Sequence, residues 1–97
     1  MLGDMRIDVV ERLVTIKDTI VNLGMMELGI LISLARKTGQ VVGRETMRED
    51  LEAQGLFFNT TLHHHIWGLK TKLKSAAGEA FKIKLVLGEG FKLTKQT

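Results

Sequence analysis

His65-Ile66-Trp67-Gly68-Leu69-Lys70-Thr71-Lys72-Leu73 and, further on, Val86-Leu87-Gly88-Glu89-Gly90-Phe91-Lys92-Leu93 are the stretches whose reading decides the fold. In the first, Leu62, Ile66, Leu69 and Leu73 recur at i, i+4, i+7 and i+11, the stripe of an amphipathic helix. Lysines stand around that stripe. In the second, Phe81, Ile83 and Leu85 alternate with Lys82 and Lys84, and the chain reverses at Gly88-Glu89-Gly90. Alternation followed by a glycine turn predicts a β-hairpin. A basic helix followed by a basic hairpin suits a nucleic-acid duplex. The helix fits the major groove, and the hairpin fits the adjoining backbone or minor groove.

Upstream of this pair, Asn59-Thr60-Thr61 supplies N-cap residues for the basic helix, placing it at 59–75. Ala76-Ala77-Gly78 ends it. A preceding helix is predicted from Arg44 to Gln54, with Met47 and Leu51 inward, Glu49, Asp50 and Glu52 outward, and Gly55 as its stop. Leu56-Phe57-Phe58 is a short apolar loop between the two. An earlier helix starts at Met25, with Met26, Ile30, Leu31 and Leu34 at helical spacing and Leu23 as a staple before it. Thr38-Gly39 is its expected end. Gly24 and Gly29 are poor helix formers, so this helix depends on tertiary packing. Val41-Val42 is a brief extended piece.

The N-terminal residues are rich in β-branched side chains and read as short strands at Arg6–Val9, Arg12–Ile16 and Thr19–Val21. The order βββ-α-α-α-ββ predicts an α+β fold: a winged helix-turn-helix with a short N-terminal antiparallel sheet, three helices and a C-terminal β-hairpin wing. One domain over 1–97 is expected, with the sheet at 1–22, the three-helix core at 23–76 and the wing at 81–94.

The charge is uneven. Residues 1–58 carry seven Lys/Arg against nine Asp/Glu, whereas residues 59–97 carry seven lysines against two glutamates. This asymmetry suggests one face for a polyanion and another for protein contacts. All five arginines lie in the first part.

Other classes are disfavoured. The chain has no cysteine, which excludes disulfides, thiolate metal sites and cysteine nucleophiles. No Ser/His/Asp set, phosphate-cradling loop or paired carboxylates is evident, so neither an enzyme nor a cofactor is expected. The longest apolar stretch, Leu23 to Ala35, is broken by Glu27 and Ser33 and is too short to span a bilayer. Asp4, Arg6 and Asp8 interrupt any secretory signal, so a cytoplasmic protein is expected.

The run His63-His64-His65 invites a metal reading. Consecutive helical residues diverge by about 100°, however, and ligand pairs favour i, i+4, so no metal site is expected. His63 and His64 fall on the groove-facing side. Lys70, Lys72 and Lys74 are phosphate-contact candidates. Trp67, the single tryptophan, reads either as a partly buried packing residue or as an apolar contact to a thymine methyl. Gly68 in mid-helix implies either close backbone approach to DNA or a position released from contact.

Four blocks of the chain, in order, resemble the effector domain of OmpR/PhoB-type response regulators. Leu23-Gly24-Met25-Met26-Glu27-Leu28-Gly29-Ile30-Leu31 is similar to the family's L-T-x-x-E-[FY]-x-L-L. Gly39-Gln40-Val41-Val42-Gly43-Arg44-Glu45-Thr46-Met47 is similar to G-x-V-V-S-R-E-x-L. His65-Ile66 with Leu69 to Leu73 is similar to H-I-x-x-L-R-x-K-L, and Val86 to Leu93 to V-R-G-x-G-Y-R-[LF].

The resemblance implies sequence-specific binding of double-stranded DNA, as a homodimer on direct-repeat half-sites, in a bacterial transcriptional regulator. It implies a phosphorylatable receiver domain N-terminal to this one in the full-length protein. By their charge and their place on the basic helix and hairpin, DNA contacts are expected at Thr60, Thr61, His63, His64, His65, Trp67, Lys70, Lys72, Lys74, Lys84 and Lys92; His65 sits where the family histidine sits, which implies a place near a phosphate. The resemblance also makes Leu56, Phe57 and Phe58 a candidate RNA polymerase contact. Three departures stand out: Trp67 and Gly68 where the family has arginines, Leu87 at the wing arginine, and His63 at the family aspartate. These missing arginines open a competing reading, a winged-helix protein-interaction module that has lost DNA recognition.

Overall fold

The structure, a computed structural model, describes residues 3–57 and 62–95. Strands β1 (Met5–Asp8), β2 (Leu13–Ile16) and β3 (Thr19–Val21) form an antiparallel sheet in the order β1-β2-β3. β1 is shifted one residue towards the N-terminus of the predicted strand. Asp8 ends it by accepting the Glu11 N–H at 2.9 Å. Arg12, at φ 56°, belongs to the loop rather than to β2. β2 and β3 pair Ile16 with Thr19 across Lys17-Asp18, both at positive φ. A two-residue turn of that kind matches the right-handed twist of the strands it joins. Met5, Val14, Ile16 and Val21 point into the core.

Helix α1 (Met25–Ala35) starts at Gly24, whose N–H donates to Glu27 Oε1 at 2.8 Å. This is half of a capping box, since glycine has no side chain to return the bond. The helix ends three residues before the predicted stop. The Thr38 hydroxyl donates to the Ala35 carbonyl and closes the last turn early. Gly29 is where α1 meets the next helix: a Cβ there would lie 2.5 Å from Leu56 Cδ1 and 2.9 Å from Leu51 Cδ2. The buried Ser33 hydroxyl donates to Asp50 Oδ2 at 2.7 Å, so Asp50 is half-buried rather than outward as predicted.

Helix α2 (Arg44–Ala53) buries Met47 and Leu51. Helix α3 (Leu62–Ala77) buries Leu62, Ile66, Leu69 and Leu73, the predicted stripe, and runs two residues past 75. Strands β5 (Phe81–Val86) and β6 (Gly90–Lys95) make the hairpin. Val41–Val42 is β4, and it pairs with β6, so the second sheet has three strands in the order β4-β6-β5. Its inner residues Val42, Phe81, Ile83, Phe91 and Leu93 join the helices in one core. Among the described residues, no helix is long and apolar enough to cross a membrane.

Candidate nucleic-acid interface

The buried stripe of α3 leaves three other sides. By the 100° step, His64, Thr71 and Ser75 face away from the core; His63, Lys70 and Lys74 face the wing; His65, Gly68 and Lys72 face the start of α1. Trp67 lies on the shoulder between the outward and wing-facing sides.

The wing-facing side borders a groove of about 380 Å³ against β5, lined by Trp67, Lys70 and Lys74 from α3 and by Lys82 and Lys84 from the strand. Lys82 is held by Glu79, Nζ to Oε2 2.7 Å. The Lys82 hydrogen bond and then its charge hold the Glu79 carboxyl below its ordinary range, with Lys74 adding to the effect. That depressed pKa means the pair's contribution is present above the ordinary carboxylate pKa. It is lost as pH falls through the depressed value.

Lys70, Lys74, Lys84 and Lys92 have no ion-pair partner among the described residues. Lys84 and Lys92 sit directly opposite each other on the antiparallel wing. Like charges so placed destabilise a sheet unless an anion lies between or above them.

Lys72 differs from the other helix lysines. Its Nζ lies 2.6 Å from Glu27 Oε1, the oxygen that also caps α1. The sequence makes Lys72 a phosphate-contact candidate because a lysine on a helix reads as free charge; its partner lies 45 residues away. Gly68 has a reason that sequence reasoning missed. A Cβ there would stand 2.5 Å from Glu27 Oε2, so the glycine makes room for the carboxylate. Neither DNA approach nor loss of contact is needed to explain it.

A four-chain comparison of melts checks this reading. Gly68→Ala alone is expected to change stability little, because the roughly 1 kcal/mol helix-propensity gain is offset by disturbance of Glu27. In a Glu27→Ala background the same substitution should stabilise by about 1 kcal/mol. Equal effects in both backgrounds would show that Glu27 and Gly68 do not interact.

The histidines have separate surroundings. His63 meets Phe91 of the wing edge-on, ring centroids 5.7 Å apart at 73°, so it links α3 to β6 as well as facing solvent. His64 is exposed and His65 half-buried. Trp67 is 70% exposed, which corrects the packing reading; it lies one residue beyond Ile66 and has turned out of the core. Leu87, at the wing tip, is 85% exposed.

Leu56 is buried against Gly29 and cannot serve as a surface contact, whereas Phe57 is 74% exposed. Phe58, Thr60 and Thr61 lie outside the described residues. Thr71, on the outward side, was not anticipated; its hydroxyl donates to the Trp67 carbonyl at 3.0 Å. Only the helical step from the Leu62 stripe could have singled it out.

No protein-family model matches the chain. It is 29% identical over 92 residues to the transcriptional regulatory protein RstA of Escherichia coli, covering 92% of this chain and 38% of RstA. The chain therefore spans well under half the length of that relative. Among solved structures, the RstA DNA-binding domain of Klebsiella pneumoniae, determined in complex with the RstA box, superposes with a TM-score of 0.76 at 27% identity. That match covers 97% of this chain and 94% of the other. The C-terminal domain of the nisin resistance regulator NsrR gives a TM-score of 0.84 at 26% identity, covering 100% and 98%. In sequence and in fold alike, the chain is similar to the winged-helix DNA-binding domains of OmpR/PhoB-type response regulators.

Proposed function

We propose that this chain is the DNA-binding effector domain of a bacterial transcriptional regulator, with α3 in the major groove and the β5–β6 wing on backbone or minor groove. One observation carries the reading. Lys70 and Lys74 on α3 and Lys84 and Lys92 on the wing are unpaired among the described residues, and two of them oppose each other across a strand pair. The complex of the Klebsiella RstA domain with its DNA box supports it. The family resemblance extends the proposal to a homodimer on direct-repeat half-sites, a receiver domain ahead of this one, and a cytoplasmic location. Among the described residues of the apolar loop, Phe57, exposed between α2 and α3, is the candidate for an RNA polymerase contact, with Phe58 beside it in sequence.

The rival reading, a protein-interaction module, is favoured by one observation: Trp67 and Leu85 are exposed apolar residues that line one groove with Lys70. A fluorescence titration on duplex DNA at several salt concentrations separates the two. Binding should weaken steeply with salt. Lys70→Ala and Lys84→Ala should each flatten the logarithmic salt slope by about one unit, while Lys72→Ala should leave it nearly unchanged. An absence of binding at low salt would favour the interaction module.

A further inference from the structure

Trp67 is a large apolar side chain on the shoulder of α3 between its outward and wing-facing sides, and it is 70% exposed. On the outward side it adjoins His64 and Thr71, and the Thr71 hydroxyl is already engaged with the Trp67 carbonyl. On the other side it lines, with Lys70 and Lys74, the groove shared with β5.

No arginine lies beyond residue 48. Neither α3 nor the wing can therefore place a guanidinium fork on the O6 and N7 of guanine, and lysine supplies only a point charge. What α3 presents between its lysines is an exposed indole. The apolar group that an unmodified major groove presents is the C5-methyl of thymine.

We infer that Trp67 is a specificity-determining residue that reads thymine by its methyl group, so that the preferred sequence turns on thymine positions rather than on guanine. This inference rests on the DNA-binding reading above. The lysines supply affinity that is blind to sequence, and the indole supplies the discrimination.

The test begins with duplexes selected from a random pool by the whole chain. Each thymine of the selected duplex is then replaced by uracil, which keeps the hydrogen-bonding edge and removes only the methyl. One or two positions should lose about fourfold in affinity, the worth of one methyl-sized group leaving water. Trp67→Ala should bind the thymine and uracil duplexes equally, with the salt slope of the parent, since no charge is removed. Trp67→Phe should keep part of the thymine preference. The exposure of Trp67 means that these variants should melt with the parent.

Binding that ignores uracil at every position would overturn the assignment of Trp67 while leaving DNA binding intact. So would a Trp67→Ala chain that keeps the full thymine–uracil difference. Failure of the pool to yield any bound duplex would sink the DNA-binding reading, and this inference with it.

Discussion

Gly90→Ala is expected to destabilise the chain by roughly 3–5 kcal/mol, lowering its melting temperature by about 10 °C or more. Gly90 opens β6 at φ 147°, a conformation L side chains rarely adopt. A Cβ there would overlap the carbonyl oxygen of Val42 and approach the Gly43 Cα at 2.8 Å. Both obstacles are backbone, so no side-chain rotation relieves the clash. Gly88 is the control. It occupies the third position of the turn closed by Glu89 N–H donating to the Val86 carbonyl at 3.0 Å, at φ 77°, with nothing within 4 Å of an added Cβ. Gly88→Ala should therefore cost only about 1 kcal/mol, the left-handed backbone penalty alone. Similar losses at the two positions would show that the Val42 contact is unimportant.

Leu69→Ala should remove about 2–5 kcal/mol. Leu69 is fully buried in the stripe that α3 presents to the common core. A chain of this size holds about 5–15 kcal/mol in all, so one truncation takes a large share. Chemical denaturation should show a lower midpoint with an unchanged slope, because the surface exposed on unfolding is nearly the same. A melting temperature within a degree or two of the parent would mean that the stripe does not carry the core.

The parts that were legible in the sequence are those with local signals. The Leu62-Ile66-Leu69-Leu73 stripe, the alternation in β5 and the Gly88-Glu89-Gly90 turn each announce themselves within a dozen residues. The parts that were not legible depend on partners distant along the chain. Val41-Val42 is too short to declare a register, and its pairing with Phe91 and Lys92 only exists once the wing has formed. Lys72 reads as a free cation until Glu27 is brought to it from α1. Gly68 reads as a helix defect until the same carboxylate is seen above it. Trp67 reads either as packing or as a groove contact while only its neighbour Ile66 is considered, although its helical step carries it off the buried stripe. At the interface, the lysine positions were read from charge alone, whereas their pairing states came only from the fold.

The strand β4 has a mechanical consequence. It leads within two residues into α2 while pairing with β6, and His63 of α3 rests on Phe91 of the same strand. The wing is thus tied both to α2 and to α3. Such a tie resists swinging of the hairpin. In the DNA-binding reading proposed above, the span between the face of α3 and the wing tip then acts as a gauge, and a mismatch with a groove is met by bending or widening the DNA. The chain would then sort duplexes partly by how easily they deform, including at base pairs that none of its side chains touches.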